Sequence, residues 1–218
     1  QIIPPKGYLP AVYEHIRAAG GVCIADEVQT GLGRLGAYYF GFEEQGALPD
    51  IVVLGKPIGN GHPIGAVVTT RAISEAFAQG PEYFSTFGGS TLSCRIGTEV
   101  LDIVADEGLA ENACVMGNRL LDGLRRLQGK HTVIGDVRGY GLFIGVDLVS
   151  DLVARTPATD VADYVKNRMR EHRILLGCEG PFDNILKIRP PLTIDEEGVD
   201  MILAVLAEVL TEVDTLSA

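Results

Sequence analysis

The chain has 218 residues, of which 46% are hydrophobic, enough to bury a large core in one or two domains. Its 29 acidic and 18 basic residues give a net charge of −11, which argues against nucleic acid as a main partner because phosphate backbones repel an acidic surface. The four cysteines are widely spaced and no histidine pair has zinc-like spacing, so we expect no metal site. Without an apolar run of about 20 residues or a signal-peptide pattern, a cytoplasmic protein without membrane contact is expected.

The first half of the chain alternates helical and strand patterns. Residues 8–20 follow a helical pattern that ends in glycine, and VCIA at 22–25 is a short strand. DIVVLG (50–55) and IGAVVTT (64–70) are continuous apolar runs rich in β-branched residues. Such runs are typical of strands that are buried on both faces of an α/β sheet.

The second half has a different pattern. Its predicted elements, in order, are a long helix over 95–127 that is interrupted at 106–108, two strands within 132–149, a helix over 158–172, short strands near 174 and 185, and a last helix over 195–213. This order indicates an α+β arrangement with hairpin-like pairing. We therefore expect two domains, 1–104 and 105–218.

Gly31, Gly33 and Gly36 have the G-x-G-x-x-G spacing of a dinucleotide-binding loop. In that loop the first glycine follows the strand directly, so that the pyrophosphate meets a helix N-terminus. Here residues 26–30 intervene and include two carboxylates, which would repel a pyrophosphate, and the acidic residue expected after the next strand is missing. The pattern argues against a nicotinamide cofactor.

Asp26 and Lys56 each follow an apolar strand, at the position where α/β sheets place groups that contact ligands. Lys56 also opens the irregular loop KPIGNGHPIG, which suits an amine held in a cleft for Schiff-base chemistry. Simpler explanations stay open for both residues. Asp26 or its neighbour Glu27 could cap a following helix or pair with Arg34, and a lone lysine is usually a solvated surface charge.

Four ordered motifs carry a family resemblance: DEVQTGLGR (26–34), GKPIGNGHPIGAVV (55–68), STFGGSTLSC (85–94) and LKIRPPLTI (186–194). The chain resembles the class III aminotransferases, which are pyridoxal-phosphate enzymes of fold type I. The second and fourth motifs are most similar to the branch that holds ethanolamine-phosphate phospho-lyases and alanine-glyoxylate aminotransferase-like proteins. The resemblance implies an α/β fold, in which 1–104 is the C-terminal portion of the cofactor-binding large domain, with a mostly parallel sheet, and 105–218 is an α+β small domain.

The resemblance also implies roles for three residues near the cofactor ring. Lys56 would form a Schiff base with the aldehyde of pyridoxal 5'-phosphate and then serve as the general base. Asp26 would keep the pyridine nitrogen protonated, so that the ring accepts electrons. Gln29 would bond the cofactor's 3' oxygen or lie alongside the ring.

Two further residues are assigned to phosphate and substrate. Thr86 matches the residue that reaches the cofactor phosphate of the partner subunit in this family, although a simple turn explains the segment equally well without it. The family's GGNP is GGST here, which puts the rigidity of this loop in question. Arg189 matches the arginine that binds a substrate carboxylate, or a phosphate in the phospho-lyase branch; a surface ion pair is its simpler explanation. His62 could touch substrate or only shape its loop.

The sequence therefore predicts an aminotransferase that acts on a primary amine or amino acid with a keto acid acceptor, in a homodimer that shares the cofactor site. A phospho-lyase acting on a phosphorylated amine is the alternative within the family, and a truncated non-catalytic module is the alternative outside it. Relatives place the phosphate-binding loop and the aromatic ring that stacks on the cofactor before the Asp26 strand. We expect this chain, which starts at Gln1, to be the C-terminal half of such an enzyme and to be inactive alone.

Overall fold

The structure is a computed structural model and describes residues 1–216. Its α-helices are α1 (Tyr8–Ala18), α2 (Arg71–Ala78), α3 (Thr91–Asp106), α4 (Leu109–Gln128), α5 (Thr159–Glu171) and α6 (Glu196–Leu216). Its strands are β1 (Ile24–Asp26), β2 (Ile51–Leu54), β3 (Ala66–Thr69), β4 (Ile134–Tyr140), β5 (Phe143–Asp151), β6 (Thr156–Pro157), β7 (Gly177–Glu179) and β8 (Ile185–Ile188). Two short 3-10 helices, Gly41–Gln45 and Lys56–Gly59, follow β1 and β2.

The chain divides into two units. The N-terminal unit is Pro4–Ala110, and the C-terminal unit is Gln1–Ile3 together with the chain from Glu111 onward. The division falls between Ala110 and Glu111, whereas the sequence places a domain boundary between 104 and 105.

The N-terminal unit is built on a three-stranded sheet in the order β1-β2-β3. β1 pairs parallel to β2, and β3 returns antiparallel to β2, so the sheet is mixed over this stretch. Asp50 fixes the start of β2: its carboxylate accepts a 2.7 Å hydrogen bond from the Cys23 N–H and binds the guanidinium of Arg17. The backbone bond and the Arg17 contact hold the pKa of Asp50 below its usual value.

The C-terminal unit contains an antiparallel sheet in the order β4-β5-β8-β7, with β6 paired to β5. β4 and β5 form a hairpin in which Tyr140 pairs with Phe143. The core of this unit consists of fully buried aliphatic side chains from the sheet and from α4, α5 and α6; its largest members include Leu120, Leu124, Ile144, Leu148, Met169, Leu186, Leu206 and Leu210. The predicted hairpin and the predicted helices of this half are confirmed.

Two details differ from the sequence prediction. α2 was not predicted: Thr70 caps it, its Oγ1 accepting the Ile73 N–H, and none of its residues is buried, although Ile73, Ala76 and Phe77 follow a helical spacing. The strand expected near Ile174 lies instead at β7, because the Ile174 N–H bonds the Met169 carbonyl and closes the end of α5. The predicted interruption of the long helix is confirmed at Gly108, whose φ of 61° suits glycine.

Candidate active site at the carboxyl edge of the first sheet

The parallel pairing of β1 and β2 brings Asp26 and Lys56 to the same edge of the sheet. In the register of the two strands Asp26 lies opposite Val53, and Lys56 follows Val53 by three positions along β2 and its extension. Both side chains are exposed at this edge. Carboxyl ends of parallel strands are the positions where α/β sheets bind ligands, so the topology unites the two residues that the sequence singled out.

Lys56 is held in an unusual backbone conformation. Its φ is 38°, in the left-handed region that side chains other than glycine rarely adopt. It begins the 3-10 helix Lys56–Gly59, whose Ile58 and Gly59 are buried. This short helix lies against α3, where the Ile58 carbonyl approaches the Cβ position of Gly97 at 3.7 Å. Strained residues of this kind persist only where surrounding packing holds them, and they cluster at functional sites.

Asp26 and Gln29 lie on the turn that follows β1. The Val28 N–H donates to Asp26 Oδ1 at 3.0 Å, and the Gly31 N–H donates to the Glu27 carbonyl at 3.0 Å, which closes one helical turn. Gln29 is exposed on this turn. The turn therefore presents the carboxylate of Asp26 and, three residues later, the amide of Gln29. It follows β1, which pairs with β2, the strand that leads to Lys56.

His62 shapes the loop after Lys56. Its Nε2 lies 2.8 Å from the hydroxyl Oγ of Ser93, near the start of α3. Ser90 caps the same helix end, because its hydroxyl accepts the Ser93 N–H at 3.4 Å. Of the two roles considered for His62, the structure shows the loop-shaping one.

Thr86 lies on an exposed segment between α2 and α3 that forms neither helix nor strand. The Gly88 N–H donates to the Ser85 hydroxyl at 3.1 Å, so a serine turn is present here. The neighbouring rings of Phe84 and Phe87 are 82% and 85% exposed. Two large aromatic side chains exposed to water on one segment are typical of an interaction surface.

Arg189 belongs to the C-terminal unit, where it directly follows β8. Its guanidinium carbon lies 6.0 Å from the ring centre of Phe143, and partial burial lowers the pKa of the side chain. Arg189 lines an open cavity of about 280 Å³ together with Lys187 and the segment Leu175–Gly177. Lys187 is also ion-paired to Glu179. The cavity can bind an anionic group.

Glu27 is a polar residue next to Asp26 for which the sequence predicts no specific role. It is only 3% exposed, and its carboxylate accepts hydrogen bonds from Thr30 and from the backbone of Gly41 and Phe42. The sequence leaves open that Glu27 caps a following helix. The two backbone donors are the first two residues of the 3-10 helix Gly41–Gln45, so the side chain caps that helix. The only signal in the sequence was the Asp-Glu pair itself.

Over residues 1–216 no cluster of three or more potential metal ligands occurs. No helix in that part of the chain is long and apolar enough to cross a membrane.

Comparison with known proteins gives a consistent result. The family model for aminotransferase class-III matches residues 1–210. Alanine--glyoxylate aminotransferase 2-like of Drosophila melanogaster is 50% identical over 215 residues, which are 98% of this chain and 44% of that protein. The chain thus spans about half the length of the curated relatives it matches.

Two solved structures extend the comparison. A phospholyase from Arthrobacter in complex with phosphoethanolamine has a TM-score of 0.93 and 38% identity, over 96% of this chain and 50% of that one. An amine transaminase from an uncultivated Pseudomonas species, solved in a PLP-bound form, has a TM-score of 0.87 and 33% identity, over 97% and 49% of the two chains. These matches confirm the predicted fold class, and together with the family they indicate pyridoxal phosphate as the cofactor.

Proposed function

We propose a function from the premise that this chain belongs to the class III aminotransferase family. It carries the catalytic lysine of a pyridoxal-phosphate-dependent aminotransferase. The enzyme acts on a primary amine or amino acid, with a keto acid as acceptor. The observation that carries the proposal is the parallel pairing of β1 and β2, which brings Asp26 and Lys56 to one sheet edge. This pairing supports the assignment of the two residues that the chemistry requires.

The residues present fit the cofactor by their chemistry. When bound, pyridoxal phosphate supplies an aldehyde that captures amines and a ring that withdraws electrons from the substrate carbon. Lys56 Nζ is the amine available to hold the aldehyde carbon and to move a proton to and from the substrate. The carboxylate of Asp26 would accept the hydrogen bond that keeps a proton on the ring nitrogen, and the amide of Gln29 would add a neutral hydrogen-bonding group beside it.

The substrate and the assembly are part of the same proposal. Arg189 would bind the carboxylate of an amino-acid substrate, since a guanidinium matches an oxyanion with two parallel hydrogen bonds. Thr86 would contact the cofactor phosphate of a partner subunit in a homodimer, and the exposed rings of Phe84 and Phe87 beside it support an interface there. Residues 1–104 would then belong to the cofactor-binding domain and 105–218 to the small domain, in a cytoplasmic enzyme.

A phospho-lyase is the second candidate, favoured by the similarity to the Arthrobacter phospholyase. In that case Arg189 would hold a substrate phosphate, with Lys187 lining the same cavity. The two reactions differ in what they consume and release. A phospho-lyase releases inorganic phosphate without an amino acceptor, whereas an aminotransferase requires the keto acid.

Reductive trapping tests the role of Lys56. The natural protein that contains this chain is mixed with pyridoxal phosphate, reduced with borohydride, digested and analysed by mass spectrometry. We expect the phosphopyridoxyl group on Lys56. In Lys56→Arg we expect this label to disappear and activity to fall at least a thousandfold, because the guanidinium cannot form the Schiff base. Lys6→Arg, in an exposed N-terminal segment, is the matched control and should leave both unchanged.

Two outcomes would contradict the proposal. Labelling spread over many lysines, or absent altogether, would exclude the assigned role and leave the non-catalytic module as the better explanation. The 218-residue chain run alone beside the natural protein is expected to stay unlabelled at Lys56.

A further inference from the structure

Glu27, directly after Asp26, is a buried and fully hydrogen-bonded carboxylate. Its Oε2 accepts from the Thr30 hydroxyl at 2.6 Å and from the Gly41 N–H at 2.8 Å, and its Oε1 accepts from the Phe42 N–H at 3.0 Å. A carboxylate that is 3% exposed is costly unless it is hydrogen-bonded, and here both oxygens are satisfied. The local structure is therefore built around this one charge.

The bonds of Glu27 join three separate segments. Its carbonyl accepts the Gly31 N–H and so closes the turn 27–31, which carries Gln29, and its side chain binds Thr30 of that turn and the start of the 3-10 helix Gly41–Gln45. Its own N–H donates to the Val53 carbonyl at 3.0 Å, on the strand that leads to Lys56. The approach is close: a Cβ added at Gly41 would lie 3.1 Å from Thr30 and 3.3 Å from Glu27 Oε1.

We infer that Glu27 is a positioning residue for the cofactor site, an inference that rests on the proposed function. Asp26 precedes it and Gln29 follows it by two residues, so any tilt of the turn moves both groups that would meet the ring. By locking the turn to β2 and to the segment at 41–42, Glu27 fixes where Asp26 and Gln29 point relative to Lys56. It acts through these neighbours and does not itself touch the cofactor.

A purely structural role for Glu27 makes a different prediction. If the carboxylate only caps the 3-10 helix, its loss lowers the melting temperature but leaves the bound cofactor unchanged. If the carboxylate positions Asp26, its loss also weakens cofactor binding. It further shifts the pH at which the bound cofactor changes protonation, because a displaced Asp26 would stabilise the proton on the ring nitrogen less well.

The test is Glu27→Gln in the cofactor-loaded natural protein. Glutamine keeps one acceptor oxygen and replaces the other by an NH₂ group, so at least one buried donor loses its partner. We expect about tenfold weaker cofactor binding and a displaced pH midpoint in the visible absorption of the bound cofactor. We also expect kcat to fall more than KM changes, since the affected groups act on the reacting ring.

Glu43→Gln is the matched control. The Glu43 carboxylate also accepts two backbone hydrogen bonds, from the Tyr39 and Phe40 N–H groups at 2.8 and 3.1 Å, on the same 3-10 segment, but its side chain is exposed. We expect this variant to lower the melting temperature without moving the cofactor's affinity or pH midpoint. Thr30→Ala removes one of the three donors to Glu27. We expect it to change the cofactor's affinity and pH midpoint in the same direction as Glu27→Gln, but by less. If Glu27→Gln does not fold, Thr30→Ala decides the question.

The outcomes separate the two claims. An unmodified protein that does not bind pyridoxal phosphate at Lys56 would overturn the proposed function and this inference with it. An unmodified protein that binds it, with Glu27→Gln or Thr30→Ala unchanged in affinity and midpoint, would overturn the inference alone. Equal shifts in Glu43→Gln would also overturn it, because the effect would then belong to the segment as a whole.

Discussion

Glu212 is a carboxylate whose pKa lies well below that of a free side chain. Its carboxylate accepts from Arg168 Nε and Nη2 at 2.8 and 2.7 Å and from the Tyr164 hydroxyl at 2.8 Å, which joins α5 to α6. The Arg168 bonds, followed by the Tyr164 bond, lower its pKa from 4.5 to about 2. Because the pKa is lower in the folded protein, the ionised carboxylate stabilises the fold at pH values above its unfolded pKa of 4.5. That contribution is lost as the pH falls toward 2.

We therefore expect Glu212→Gln to lower the melting temperature at neutral pH and to lose its effect in acid. The difference from the unmodified protein should be constant above pH 5 and shrink steadily between pH 4.5 and pH 2, which thermal unfolding at a series of pH values measures. Glu208→Gln, an exposed residue of the same helix, is the control. A Glu212→Gln deficit that does not depend on pH would contradict the assignment.

At the residue scale, sequence reasoning identified Asp26 and Lys56 because each follows an apolar strand and carries a chemistry that few residues supply. It could not assign Glu27 its bonds, since the two backbone donors lie 14 and 15 residues further along the chain. Nothing local distinguishes a carboxylate that caps its own turn from one that binds a distant segment. The left-handed φ of Lys56 was equally hidden, because no glycine marks that position.

At the element scale, α4 lies close against the β4–β5 turn in the C-terminal unit. A Cβ added at Gly117 would lie 2.2 Å from the Gly141 carbonyl oxygen, closer than any packing allows. Alanine favours a helix over glycine by about 1 kcal/mol, but the backbone of the turn must shift to admit it. We expect Gly117→Ala to be destabilising by about 2 kcal/mol in urea unfolding, within the range typical of overpacking.

Gly177→Ala is the control for this prediction. No heavy atom lies within 4 Å of the Cβ position of Gly177 and its φ is not in the left-handed region, so we expect a change of no more than about 0.5 kcal/mol. An alanine at Gly117 that stabilised the protein would show that helix propensity outweighs the contact with the turn.

Elements with a strong pattern were the predictable ones. The β2 and β3 runs have continuous apolar residues, and the two strand patterns of the β4–β5 hairpin are separated by glycines; the structure has strands at all four places. The short helix α2 was missed although Ile73, Ala76 and Phe77 have helical spacing, because a periodic pattern over only eight residues is too short to distinguish a helix from a loop. β6 has only two residues, and its pairing to β5 depends on tertiary contact.

At the scale of the whole molecule, the chain spans about half the length of its relatives, and each unit carries proposed functional residues of its own. Asp26, Gln29, Lys56 and Thr86 belong to the N-terminal unit, and Arg189 belongs to the C-terminal unit. Each unit has its own sheet, so local sequence patterns predict the elements of each unit independently of the other. Because the chain spans about half the length of its relatives, the proposed site is tested in the natural protein.

A ligand that binds only the native state stabilises the entire protein, so cofactor binding should be visible in thermal unfolding. At a pyridoxal phosphate concentration 100 times the Kd, we expect about 2.7 kcal/mol of stabilisation of the cofactor-free natural protein. Lys56→Ala should retain a smaller share, since phosphate and ring contacts persist while the bond to the amine is lost. Pyridoxine, which has neither aldehyde nor phosphate, is the control ligand, and an equal shift in Lys56→Ala would show that Lys56 does not hold the cofactor.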